Sequence, residues 1–259
     1  MSVPQGRRAV LAGMLALAGG GLAASAPLAA VPWPGAVVVR REGAVVVGDR
    51  AVAGLLADLA VRAARARRRI AAIWGPVRPV VLFPETDARA AALAGASGVA
   101  ATRGLAALAT ADRVVVLPGG YARLSEVGRD VVLTHELVHV ATGATRGGRV
   151  PMWLSEGFAD YVGYAGTGLE VRRIAAELAR EVRAGALPEG LPGPADFAPG
   201  GARLPQAYEE AWLACRYVAG RFGERALVRL YGSDVETTLG LTAAEFTAGW
   251  RDHLRRELA

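Results

Sequence analysis

The residues from 131 to 140 have the types and the spacing to do chemistry. His135 and His139 stand four residues apart in an apolar run, and Glu136 directly follows the first histidine. On an α-helix, residues four apart share a face about one turn from each other. Two imidazoles so placed suit two positions of a tetrahedral zinc site. Glu136 then lies beside the metal, where it can take a proton from water. The spacing predicts a zinc hydrolase.

A zinc site of this kind needs a third protein ligand and an open position for water. The only other histidine, His253, is far away near the C-terminus. The segment 151–162 reads Pro-Met-Trp-Leu-Ser-Glu-Gly-Phe-Ala-Asp-Tyr-Val and predicts a second helix. A glycine-rich turn over 142–148 could fold that helix back against the first. Glu156 is therefore the better candidate for the third ligand.

The two segments together resemble a known family. His-Glu-x-x-His followed by Trp-x-x-Glu-Gly-x-Ala is similar to the gluzincin branch of zinc metallopeptidases. The resemblance implies that His135, His139 and Glu156 bind zinc and that Glu136 is the general base. In thermolysin-like members, an aspartate four residues after the ligand glutamate orients the first histidine. Asp160 has that spacing, so the resemblance implies that it fixes the ring of His135.

The resemblance also implies a hydrogen-bond donor for the developing oxyanion. Residues 206–212 are similar to the segment of gluzincin aminopeptidases that carries a tyrosine in this role, which makes Tyr208 the predicted donor. The alternatives are Tyr161, Tyr164 and Tyr217. In the resembled fold an edge strand pairs with the extended substrate backbone. The segments 98–102 and 105–108 are the two candidates for that strand.

The chain departs from those aminopeptidases upstream of the histidines. They carry a Gly-x-Met-Glu-Asn strand whose glutamate holds the substrate's α-amino group. The corresponding residues here, 98–102, read Gly-Val-Ala-Ala-Thr and contain no acid. This difference favours an endopeptidase. The resemblance covers only the catalytic core, roughly residues 113–223.

Composition sets limits on the other function classes. The chain has 259 residues, of which 53% are hydrophobic, enough for one sizeable domain or two small ones. All 30 basic residues are arginine, and most are scattered along the chain. The one dense run, 62–69, is predicted to be a solvated helix face, so nucleic-acid binding is not expected. Cys215 is the only cysteine, which excludes an intramolecular disulfide and predicts a small core residue.

The first 30 residues have the pattern of an export signal. Arg7 and Arg8 precede an uncharged stretch, 9–30, that ends in small residues. The arginine pair partly resembles a twin-arginine signal. We therefore expect the protein to be secreted or to reside in the cell envelope. The alternative is an uncleaved anchor formed by 9–30, the only way in which membrane contact is expected.

The remaining pattern predicts an α+β domain over 31–259, with a strand-rich half, 31–126, and a helical half, 127–259. The resemblance implies a zincin-like fold, in which a small mixed sheet packs on the helix with the two histidines. Periodicity and turn residues predict strands at 36–40, 44–48, 80–83 and 113–117. They predict helices at 49–74, 86–94, 128–142, 152–164, 169–184, 206–221, 224–230 and 243–258, with a proline-rich loop over 187–205.

The predicted function is a zinc-dependent peptidase that acts as an endopeptidase. Two other classes of function stay open. One is a non-catalytic gluzincin-fold binding module in which zinc is structural. The other is a zinc amidase or esterase that acts on non-peptide cell-envelope material. Glu136 favours an enzyme, because a purely structural site has no use for a base. The substrate class is a peptide or protein, and neither the subsite preference nor the oligomeric state is encoded in these patterns.

Overall fold

The structure is a computed structural model that describes residues 33–147 and 150–259. The chain divides into two compact units, one up to Gly148 and the other from Arg149. The predicted export signal, 1–30, lies outside the described residues. Within the described ranges, no helix combines the length and the apolar character needed to cross a bilayer.

The first unit contains a five-stranded mixed sheet. The strands are β1 (Ala36–Arg41), β2 (Ala44–Asp49), β3 (Val80–Phe83), β4 (Ala107–Ala109) and β5 (Val114–Val116). Their order is β1-β2-β3-β5-β4, with β1 and β4 antiparallel to their neighbours and the three central strands parallel. This confirms an α+β protein with a small mixed sheet.

Helices cover this sheet because its strands bury apolar side chains on both faces. The helices of the unit are α1 (Ala53–Ile73), α2 (Asp87–Leu93), α3 (Pro118–Ala122) and α4 (Glu126–Thr142). Val47, Leu82, Val115 and Leu108 are register partners across the sheet and form a core with Ala90 of α2. Neighbouring residues point to the opposite face. Helix α1 packs against β2, and α4 packs against β4.

The second unit is helical. Its helices are α5 (Met152–Tyr164), α6 (Val171–Ile174), α7 (Ala176–Arg183), α8 (Leu204–Phe222), α9 (Glu224–Arg229), α10 (Val235–Leu239) and α11 (Ala243–Leu258). The most extensive packing in the unit is between α5 and α8, and α11 packs on α7 and α8. Aromatic rings fill the contact with α11, where Phe246 lies 5.8 Å from Trp153 and 5.5 Å from Tyr217 between ring centroids.

Three sequence predictions about these elements are wrong. Residues 98–102 are not a strand, because Gly98 adopts a φ of 143° and Val99–Thr102 forms a 3-10 turn. The predicted helix 169–184 is broken into α6 and α7 at Ala175. The arginine run is not wholly solvated, because Arg62 is buried and ion-paired to Asp58 and Asp130.

Candidate metal centre

Local signals set both ends of α4. Ser125 caps its start, with Oγ accepting the N–H of Gly128 at 3.1 Å, and Glu126 places a negative charge in the first turn. Gly143 ends the helix in the left-handed conformation with a φ of 72°, and its N–H donates to the His139 carbonyl. Between these ends the helix buries its apolar residues, which fixes the face that carries the histidines.

The two histidines of α4 lie together, as their spacing predicts. Both are fully buried, and their Nε2 atoms are 3.0 Å apart. Two nitrogens that bind one tetrahedral zinc at the usual bond length are separated by about 3.3 Å. The pair is therefore within a few tenths of an ångström of the separation that a shared ion requires.

Glu136 is also fully buried, and its carboxylate reaches the sheet. Its Oε2 accepts the backbone N–H of Ala109, the last residue of β4, at 2.7 Å. A buried carboxylate is costly unless hydrogen-bond donors compensate for the loss of water, and this amide is such a donor. The candidate base is thus tied to the edge of the sheet, directly beside His135 in the chain.

The sequence patterns do not predict a role for Ala109, because the candidate strand 105–108 ends one residue before it. The signal was nevertheless present. Residues 110–112 read Thr-Ala-Asp, a turn ahead of the strong strand prediction at 113–117. A hairpin built around that turn extends the first strand to Ala109, as the register Ala109↔Val114 shows.

In the second unit, Glu156 and Asp160 lie one turn apart on α5, and each is only 2% exposed. Asp160 lies close enough to Cys215 of α8 to affect its ionisation. Burial, and to a lesser extent this carboxylate, raises the pKa of the Cys215 thiol well above its usual value. The buried thiol confirms Cys215 as a core residue. The predicted role of Asp160 in orienting His135 stays a prediction.

His135, His139 and Glu156 form a buried group that could hold a metal ion. The chemistry of these donors fits zinc, which takes imidazole nitrogen and carboxylate oxygen and is commonly held by two histidines and one glutamate in catalytic sites. The coarser part of the sequence prediction, a metal-binding group at these three residues, is therefore supported by the structure.

Tyr208, the predicted oxyanion donor, is only 1% exposed on α8, with its ring edge-on to Phe197 at 5.2 Å. Among the alternatives, Tyr161 donates its hydroxyl to Glu224 at 2.8 Å. Burial and this hydrogen bond raise the pKa of Tyr161. Tyr164 packs on Trp212, and Tyr217 packs on Phe246. The role of Tyr208 stays a prediction.

The proline-rich loop of the second unit lines a cavity of about 310 Å³. Arg203 at its wall is ion-paired to Glu181 and to Glu210, both at 2.8 Å. Burial nevertheless raises the pKa of Glu210 to about 7, against the opposing effect of Arg203. Glu210 is therefore a buried acid that titrates near neutrality within this unit.

No family model, curated protein or solved structure matches this chain. The resemblance to gluzincins consequently depends on the residues of the two motifs, His-Glu-x-x-His at 135–139 and Trp-x-x-Glu-Gly-x-Ala at 153–159. The structure places the first motif on α4 and the second on α5.

Proposed function

We propose that this chain is a zinc-dependent peptidase of the gluzincin type with a zincin-like fold. It acts outside the cytoplasm, as an endopeptidase on peptide or protein substrates. The observation that carries the proposal is the pair of buried imidazoles on α4, 3.0 Å apart at Nε2, with the Glu136 carboxylate next to them in the chain. Such a pair presents two ligand atoms to one ion, and the adjacent carboxylate supplies a base.

Each residue has a defined task in the proposed reaction. His135, His139 and Glu156 hold zinc, which when bound supplies a Lewis acid that lowers the pKa of water toward about 7. Glu136 takes the proton of the attacking water and passes it to the leaving nitrogen. Tyr208 donates a hydrogen bond to the oxyanion, and Asp160 holds the ring of His135 in one tautomer.

Two features favour an enzyme over a binding module with structural zinc. Structural zinc sites are closed by four protein ligands, whereas the group found in the described residues has three. A purely structural site has no use for a base such as Glu136, which directly follows the first histidine of the group. Strand β4 at the end of the sheet, Ala107–Ala109, contains no acid, which supports internal cleavage over removal of N-terminal residues.

The test is a cleavage assay on a diverse peptide library, read by mass spectrometry, with the zinc-loaded protein and two variants. Wild type is expected to cut internal bonds. Glu136→Gln is expected to retain zinc and to lose activity by about 100-fold or more, because proton transfer contributes at least that much. Glu156→Ala is expected to lose zinc.

Other outcomes would contradict specific parts of the proposal. Equal loss of zinc in both variants would contradict the division between base and ligand. Release of single N-terminal residues would contradict endopeptidase action. No cleavage by a protein with zinc bound would favour the binding module or a non-peptide substrate.

A further inference from the structure

Strand β4 lies at one end of the sheet, and its amides alternate in direction. Leu117 donates its N–H to Ala106, and Thr110 donates its N–H to Arg113. In an antiparallel pair the hydrogen-bonded positions alternate with positions that point away from the partner strand. Residues 106, 108 and 110 therefore face β5, and the amides of Ala107 and Ala109 point away from the sheet.

One of these outward-pointing amides donates a hydrogen bond within the protein. The Ala109 N–H donates to Glu136 Oε2 at 2.7 Å in a buried contact between residues 27 positions apart. The distance is that of a hydrogen bond to a charged acceptor, a class roughly twice as strong as neutral pairs. One hydrogen bond thereby joins Glu136 of α4 to the last residue of β4.

We propose that the Ala109 amide is a positioning group that fixes the orientation of the Glu136 carboxylate. This inference rests on the proposed peptidase function. A glutamate has three rotatable bonds, and its terminal torsion is broad. A hydrogen bond from the Ala109 N–H to Oε2 restricts that freedom. The contribution comes from the backbone of residue 109, so its side chain is not part of the device.

The contact itself is tested by NMR on the full chain, without reference to activity. Glu136→Ala removes the acceptor, and the amide proton of Ala109 is expected to move upfield by more than any other amide of β4. Leu108 is the internal control, because its amide faces β5. An Ala109 amide that does not move, or that moves no more than that of Leu108, would overturn the proposal.

The functional consequence is tested by replacing the amide of Ala109 with an ester, which removes the N–H and leaves the side chain in place. The expected result is a fall in kcat of about tenfold to 100-fold, the usual cost of losing a hydrogen bond to a charged group, with KM and zinc content unchanged.

The matched control is an ester at Val38 on the opposite edge strand, β1. Val45 donates its N–H to Pro79, so its register partner Arg40 is not hydrogen-bonded to β2. Val38 lies two residues before Arg40 and therefore also points its amide away from β2. This ester is expected to change kcat by less than about twofold.

An equal fall in kcat in the two ester variants would overturn the proposal. A raised KM with unchanged kcat in the Ala109 ester would also overturn it, because the amide would then serve the substrate. If the wild-type protein cleaves nothing, the proposed function fails, and the NMR shift still decides whether Ala109 holds Glu136.

Discussion

Helices α4 and α5 each carry part of the candidate zinc group, but different interactions hold them within their own units. Besides its buried apolar residues, α4 makes polar contacts that join single atoms: the Ser125 cap, the ion pair of Asp130 with Arg62, and the hydrogen bond of Glu136 with Ala109. On α5 the helix begins after Pro151 without a side-chain cap, and Gly157 packs against the backbone of α8.

Because their contacts differ, α4 and α5 should be sensitive to different kinds of substitution. Directional contacts fix the rotation of α4 about its axis, which a proton-transferring carboxylate requires. Close packing of backbones fixes the distance of α5 from α8 and leaves no room for an added carbon. We therefore expect α4 to respond to substitutions that remove a charge, and α5 to substitutions that add a methyl group.

The largest effect is expected from Gly157→Ala. A Cβ at this position would lie 2.2 Å from the carbonyl oxygen of Ala211, so α5 and α8 would have to separate. We expect a loss of about 4 kcal/mol in unfolding free energy, above the usual overpacking range because the neighbour is backbone. Urea denaturation followed by circular dichroism measures it. The control is Gly220→Ala on α8, where the site is open and a gain of up to about 1 kcal/mol is expected. Equal effects in the two variants would contradict the packing argument.

The next effect is expected from Asp130→Asn on α4. Asp130 accepts from buried Arg62 at 2.9 Å and from Arg65 at 2.7 Å. Of the two carboxylates that pair with Arg62 in the described residues, removing this charge leaves Asp58. We expect a loss of about 3 kcal/mol, the low end for breaking a buried pair. Asp252→Asn removes an ion pair in which both side chains are more than half exposed, and it should cost under about 0.5 kcal/mol. A loss that small at Asp130 would refute the polar tethering of α4.

Glu210 limits the comparison, because it gives the second unit a charge-sensitive element. Its pKa is raised from 4.5 to about 7, so the folded state favours the protonated acid. The stability from this group is complete below pH 4.5 and is lost as the pH rises through 7. Between pH 5 and 7, we expect wild type to lose about 2 kcal/mol relative to Glu210→Gln. Denaturation at several pH values measures the difference, and parallel curves for the two proteins would contradict it.

The smallest effect concerns the helix starts. Ser125→Ala removes the cap of α4 and should cost about 1 kcal/mol. Pro151→Ala at the start of α5 removes no side-chain hydrogen bond, so the cost should be smaller. Thermal unfolding of both variants checks the order. The reverse order would show that α5, too, depends on its first residues.

The bounds of α4 and α5 could be predicted because their signals are local. Pro151 and the apolar run after it place α5 at the predicted residues, and Gly143 ends α4 directly after the predicted last residue. The spacing of His135 and His139 likewise fixes their common face. Such features depend on residues within one or two helical turns, which a sequence displays directly.

The contacts between distant segments could not be predicted in the same way. The partner of Glu136 is 27 residues away in the chain, and its identity depends on the register of β4 against β5. The burial of Arg62 had a local signal in Asp58, four residues earlier, but Asp130 is 68 residues away. The short helix α3 contains two glycines and has too little periodicity to predict.

The rate at which Cys215 reacts with a disulfide reagent reports how often the second unit opens. Its thiol is fully buried, and a Cβ on Gly157 would lie 2.9 Å from its sulfur, so the thiol sits where α5 meets α8. A disulfide reagent can reach it only when these helices part, and the rate of labelling then reports how often they do so. Since the chain has no other cysteine, every labelled molecule reports an opening of the contact between α5 and α8.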